Sequence, residues 1–221
     1  MIEHAHVQIG DDGWRSAGET GRVVPLAPPG EYTVRLSVGD RTYTQPLTVL
    51  KDPNSEASLA DIRENVSVVL ELRDDANVTV DLINEIESVR SQVYDLNERI
   101  QGTEGAGQIL EAGESLDAKL INLEMLLTDL RMSGGMAGQD RLRWPRQLYA
   151  KLTSLAGYVG NSDFAPTEQQ LETRDRLQGL LGDYLARMQD IRDNDLAELN
   201  LLLNQAGVPV IMGRPAPRGA S

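Results

Sequence analysis

The chain has no cysteine. That absence excludes disulfides, thiolate zinc sites and cysteine nucleophiles. Histidine is nearly missing too. The two present, His4 and His6, sit at the very start. No helix-forming stretch carries one, so the Glu-x-x-His pairs of di-iron bundles are absent. Aromatic residues make up only 4% of the 221 residues, against 40% hydrophobic overall, so any core must be built from Leu, Ile, Val and Ala. Such side chains suit the interdigitating ridges of packed helices. Basic residues are scarce: 21 against 34 acidic, a net charge of -13. Phosphate binding needs a concentrated basic surface, so nucleic acid and anionic membrane surfaces are disfavoured as partners. The acidic excess reads as a solvated exterior. No stretch approaches the roughly 18 apolar residues of a membrane span. The opening Met1–His6 lacks the basic and apolar regions of a signal peptide. A glycine-rich phosphate loop between strand and helix is also missing.

What is present changes character at Asp52-Pro53. Upstream, residues alternate with period two. Tyr32, Val34, Leu36 and Val38 share one face of a strand, and Tyr43, Leu47 and Val49 share one face of the next. Gly39-Asp40 between them suits a two-residue primed turn. That turn pairs Val38 with Arg41, Leu36 with Tyr43 and Tyr32 with Leu47, so the apolar residues meet on one face. Thr33, Arg35 and Ser37 take the other. A lone hairpin is marginal in water. A weak third strand is expected near Val23–Leu26. The sheet either docks on helices or belongs to a larger β-domain, such as the last strands of an immunoglobulin-like fold.

Downstream, apolar residues keep helical spacing. Ser58 to Asp61 has the form of an N-cap, and Leu59, Ile62, Val66, Val69, Leu72, Ala76, Val80, Ile83, Ile86, Val93, Leu96 and Ile100 follow as one stripe. Asp74–Val80 is the weakest stretch of that helix and the expected place for a kink. Leu116, Leu120, Leu123, Leu127 and Leu130 form a second stripe, ended by Ser133–Gly138. Trp144-Pro145 is expected to open a third helix. Thr167 with Gln170 starts a fourth, whose stripe runs through Leu177, Leu181, Tyr184, Met188 and Ile191 before shifting to Leu196, Leu199 and Leu203. The predicted fold is mainly α: an antiparallel bundle of two long and two shorter helices, preceded by a small β-hairpin or partial immunoglobulin-like sheet. The second and third helices together span one long helix. The expected divisions are a flexible segment at 1–21, the hairpin at 22–53, the bundle at 54–212 and a disordered tail at 213–221.

Candidate sites are few. His4 and His6 share a strand face without a ligand set to complete a metal centre. Glu98 with Glu104, and Asp190, Asp193 and Asp195, are paired carboxylates on polar faces or loops, where a solvated role outweighs general acid catalysis. Asn65-Val66-Ser67 and Asn77-Val78-Thr79 match the glycosylation sequon without a context that gives it meaning. Trp144 reads as a hydrophobic anchor rather than a ligand-stacking ring. No catalytic, cofactor-binding or metal residue is therefore assigned, and no cofactor is expected.

The run Ala27-Pro28-Pro29-Gly30-Glu31-Tyr32-Thr33-Val34-Arg35-Leu36, then Gly39, Thr44-Gln45-Pro46-Leu47-Thr48-Val49 and Lys51-Asp52-Pro53, resembles a stretch near the C-terminus of large bacterial BNR/Asp-box repeat proteins. Leu148–Leu152, Ser162–Thr167 and Asp195–Asn200 are similar to the helical tail of that family, so the resemblance spans residues 22–212. Those proteins carry sialidase-like or sortilin-like β-propellers and are often described as glycosyl hydrolases. The resemblance implies an exported parent with its propeller upstream, and makes this chain a non-catalytic accessory module that packs on the propeller or self-associates. Asp11-Asp12-Gly13 lacks the Ser, Thr and Trp of an Asp box, so no family catalytic residue carries over. The alternatives are part of a glycan-acting hydrolase, and a freestanding bundle that binds other proteins.

Overall fold

A computed structural model describes residues 6–8, 14–16, 23, 25–131 and 144–213. Short strands β1 (His6–Gln8) and β2 (Trp14–Ser16) pair antiparallel. A separate two-stranded sheet joins β3 (Gly30–Val38) to β4 (Arg41–Val49). Among the described residues five α-helices follow: α1 (Leu59–Ile100), α2 (Gly107–Leu127), α3 (Leu148–Gly160), α4 (Glu168–Ile191) and α5 (Ala197–Gln205). The molecule is a helical bundle preceded by a β-hairpin, as the periodicity predicts.

The hairpin register is the expected one: Val38 faces Arg41, Leu36 faces Tyr43 and Tyr32 faces Leu47. Gly39 adopts a φ of 54°, which a primed turn requires and glycine supplies without strain. Of the expected third strand at Val23–Leu26, the described residues Val23, Pro25 and Leu26 are not in a strand. Pro25, Pro28 and Pro29 have no N–H to give a ladder, and Val23 instead buries its side chain in the helical core.

Helix α1 holds 42 residues, roughly 60 Å at about 1.5 Å each. A capping box starts it, with Asp61 N–H donating to Ser58 Oγ and Ser58 N–H donating to the Asp61 carboxylate. The helix passes unbroken through Asp74–Val80, where a kink was expected. Thr79 is buried there, and its hydroxyl donates to the Asp75 carbonyl within the helix. Leu59, expected in the buried stripe, is exposed, whereas Asn65 is buried.

Helices α2 and α3 both run antiparallel to α1, one after the other. Gly113 of α2 lies against Val93 and Asn97 near the far end of α1, and Gly160 of α3 lies against Val69 near its start. Together they cover the length of α1, as expected. Helix α3 begins at Leu148 and not at Trp144, because Gln147 takes the extended cap conformation. The break expected at Ser133–Gly138 lies outside the described residues.

The last long helix runs parallel to α1, with Gln178 bonded to Asp75 and Arg192 to Glu85. Thr167 and Gln170 form its capping box. The shift in its stripe has a structural cause. A π-helical turn of five residues, Arg192–Leu196, separates α4 from α5. It absorbs the step from Ile191 to Leu196 and keeps both on the core side. Gly207, at φ 69°, closes α5 with Val208 N–H donating to the Leu203 carbonyl. The chain then folds back, and Asn200 exchanges two hydrogen bonds with Ile211. The core is aliphatic, centred on Leu72, Ile83, Ile86, Leu120, Leu152 and Leu199. No helix of the described residues is long and apolar enough to cross a membrane.

Candidate docking surface

The hairpin does not lay its apolar face on the bundle. Val34, Leu36, Val38, Tyr43 and Leu47 are 51%, 58%, 61%, 53% and 46% exposed. They lie side by side, because the register puts every apolar residue of both strands on one face. Tyr32 and Val49, at the base, are partly covered. The base is fastened locally: Tyr32 Oη donates to the Pro28 carbonyl at 2.6 Å. On the opposite face, Thr48 Oγ1 donates to Glu31 Oε2 at 2.8 Å.

Where the hairpin meets the bundle lies a cleft of about 350 Å³. Pro25, Leu26, Pro28 and Leu50 form its hairpin side, and Ile62, Val69, Ala156 and Gly160 its helical side. Asn65 also lines it and bridges two elements, donating to the Val159 and Phe164 carbonyls at 2.8 and 3.0 Å. A buried, doubly engaged amide is a structural bracket. The sequon that begins at Asn65 therefore falls on a side chain already committed to the fold.

Inside the bundle is a set of buried carboxylates that the helical pattern does not reveal. Glu85, Glu87, Glu124 and Asp129 are all buried. Arg192, on the π turn, donates to both Glu85 oxygens at 2.6 Å in a two-pronged bridge. Arg90 reaches from α1 to two acids of α2, donating to Asp117 at 2.8 Å and to Glu124 at 2.7 Å. The other Glu124 oxygen, Oε1, is buried and accepts no hydrogen bond among the described residues. Burial pushes the Glu124 carboxyl up to about 7, and Arg90 counters only part of that rise. Asp129 pairs with Arg131, whose guanidinium stacks 3.7 Å over the Trp144 ring. That stacking gives Trp144 an intramolecular partner.

The carboxylates singled out from the sequence behave differently. Glu98 and Glu104 are exposed, with Tyr94 donating to Glu98. Asp190 and Asp193 are exposed and accept from Asn194 and Gln189. Asp195 is partly buried and pairs with Lys119 across helices at 2.5 Å. His4 lies outside the described residues, and β1 carries His6. Among the described residues no group of His, Asp or Glu could hold a metal ion. The buried acids were missed because a Glu on an amphipathic helix reads as a solvent-facing residue. The partner that compensates Glu85 is 107 residues away.

No family model, curated protein or solved structure matches this chain.

Proposed function

We propose that this chain is a non-catalytic attachment module, with the bundle as a rigid support and the hairpin as the docking element. The observation behind this reading is the uncovered apolar face of Val34, Leu36, Val38, Tyr43 and Leu47. Apolar area left in water forgoes about 25 cal/mol per Å². Contiguous apolar patches on soluble proteins mark interaction surfaces. The occupant we propose is the β-structure preceding this region in the family it resembles. The hairpin would then be the end of an immunoglobulin-like domain beside a sialidase-like propeller, in an exported protein.

The buried acids support a structural role. The cleft at the hairpin base is lined by Asp52 and Asp163, and none of Glu85, Glu87, Glu124 or Asp129 borders it. Glu124 and Glu85 face cationic side chains of neighbouring helices instead.

Hydrogen exchange tests the reading. The hairpin amides are compared in the isolated chain and in the longer polypeptide read in frame from the source gene. Slowed exchange across Tyr32–Leu47 in the longer polypeptide supports docking. Equal exchange, or a gene with no upstream β-domain, refutes it. Glycan hydrolysis by the isolated chain, lost in Glu124→Gln, would install the hydrolase reading in its place.

A further inference from the structure

We propose that a second copy of this chain pairs with the outer edge of β3, joining two hairpins into one four-stranded sheet about a two-fold axis at Thr33. The proposal concerns the hairpin's edge in this chain alone, and its test is separate from that of the attachment proposed above, which is read by hydrogen exchange on the longer polypeptide.

The register decides which edge is usable. Bonded and non-bonded pairs alternate along an antiparallel ladder. The two-residue turn makes Val38–Arg41 a bonded pair, so Leu36–Tyr43, Val34–Gln45 and Tyr32–Leu47 are bonded as well. The residues between them turn their backbone groups outward. On β4 these are Thr42, Thr44, Pro46 and Thr48. Pro46 has no N–H, so the β4 edge is interrupted in its middle. On β3 they are Glu31, Thr33, Arg35 and Ser37, and each offers both a donor and an acceptor. Among the described residues no strand pairs with either outer edge.

Charge selects the partner and the register. An added strand must set its own outward-bonding residues against these four. A second β3, running antiparallel with Thr33 opposite the partner's Thr33, does so at Glu31, Thr33 and Arg35, while Ser37 falls beyond the start of the partner's strand. It places Glu31 opposite the partner's Arg35, and Arg35 opposite the partner's Glu31. Registers that set Arg35 against the partner's Arg35, or Glu31 against the partner's Glu31, bring like charges together, which is destabilising. The remaining even shifts form neither ion pair. Thr48 already holds the Glu31 carboxylate on this polar face. On the other face, Tyr32 falls opposite the partner's Val34 and Leu36 opposite the partner's Gly30. The apolar surface thus continues across the junction. Four strands also remove the marginality of an isolated hairpin.

Light scattering across a dilution series tests this, on the full chain and five variants. The wild type should show twice the 24.3 kDa chain mass at high concentration. Thr33→Pro removes only an outward N–H, mirrors Pro46 across the ladder, and should give a monomer with unchanged helical circular dichroism. Glu31→Arg and Arg35→Glu should each weaken the dimer about tenfold or more, since two pairs are inverted at once. The double variant Glu31→Arg/Arg35→Glu should restore it, because the pairs re-form with signs exchanged. A wild type that stays monomeric, a dimer untouched by Thr33→Pro, or a double variant no better than the singles overturns the proposal. A dimer lost in Leu36→Thr but kept in Thr33→Pro also overturns it, and would mean that the copies meet face to face.

Discussion

Arg90 Nη1 donates to Glu124 Oε2 at 2.7 Å, across the α1–α2 interface, while the other Glu124 oxygen is buried with no donor among the described residues. Half of that carboxylate is compensated and half is not. The consequence is a titration in the neutral range. Burial raises the Glu124 carboxyl from 4.5 to about 7. Between those values the folded chain keeps a proton that the unfolded chain has released. Stability is therefore fully present below about pH 4.5, falls as pH rises through about 7, and then levels off. At about 1.4 kcal/mol per pKa unit the loss is roughly 3 kcal/mol. Urea unfolding from pH 5 to pH 8 should show this slope in the wild type and lose most of it in Glu124→Gln. Burial raises the Asp75 carboxyl as well, with the same sign. Identical slopes in the two proteins would mean that Glu124 titrates normally.

The Glu85–Arg192 bridge should behave as a buried pair. The Glu85 side chain is 5% exposed and the Arg192 side chain 22%. Arg192→Met leaves a buried carboxylate without its cation and should cost about 3 kcal/mol. The double variant Glu85→Met/Arg192→Met should recover most of that loss, because two apolar groups replace two desolvated charges. Chemical denaturation of the three variants forms the cycle. A double variant as unstable as the single would show that the π turn itself depends on the bridge.

Two leucines should separate the bundle from the hairpin. Leu120 is wholly buried in α2, whereas Leu36 is 58% exposed on β3. Leu120→Ala should cost about 2–5 kcal/mol and lower the melting temperature of the helical signal. Leu36→Ala should leave that signal within about 0.5 kcal/mol of the wild type. Thermal melts followed at a helical wavelength would check both, and comparable losses would mean that the hairpin is part of the folding core.

Ser58→Ala removes the side-chain acceptor of the α1 capping box and should destabilise the chain by about 1 kcal/mol. Ser58→Asp, which restores an acceptor oxygen, should recover most of it. Matched denaturation curves for all three proteins would show that the cap contributes nothing.

Much of this architecture was legible in the residues. The hairpin register followed from a two-residue turn and period-two alternation, and both capping boxes from Ser58 with Asp61 and Thr167 with Gln170. These are local rules, written within a few residues. The step from Ile191 to Leu196 showed a phase change but not that a π turn absorbs it. The buried acids were illegible for a different reason. Glu85 and Glu124 become interior only once α1, α2 and α4 are assembled, and their compensation by Arg192 and Arg90 is long-range. Nor did alternation reveal whether the apolar face of the hairpin would meet the helices. That depends on the path of residues 50–58, which have no periodicity of their own.

Pro46 has a further consequence, for what the exposed strands do not do. A two-stranded sheet with two equal edges can add copies at both sides without limit, the geometry that leads to fibres. One interrupted edge changes the count of available ends from two to one. Addition at β3 then uses up the free edge of both participants, and growth terminates in a closed pair. A single missing hydrogen, opposite Thr33, converts an open-ended polymerisation hazard into a self-limiting encounter.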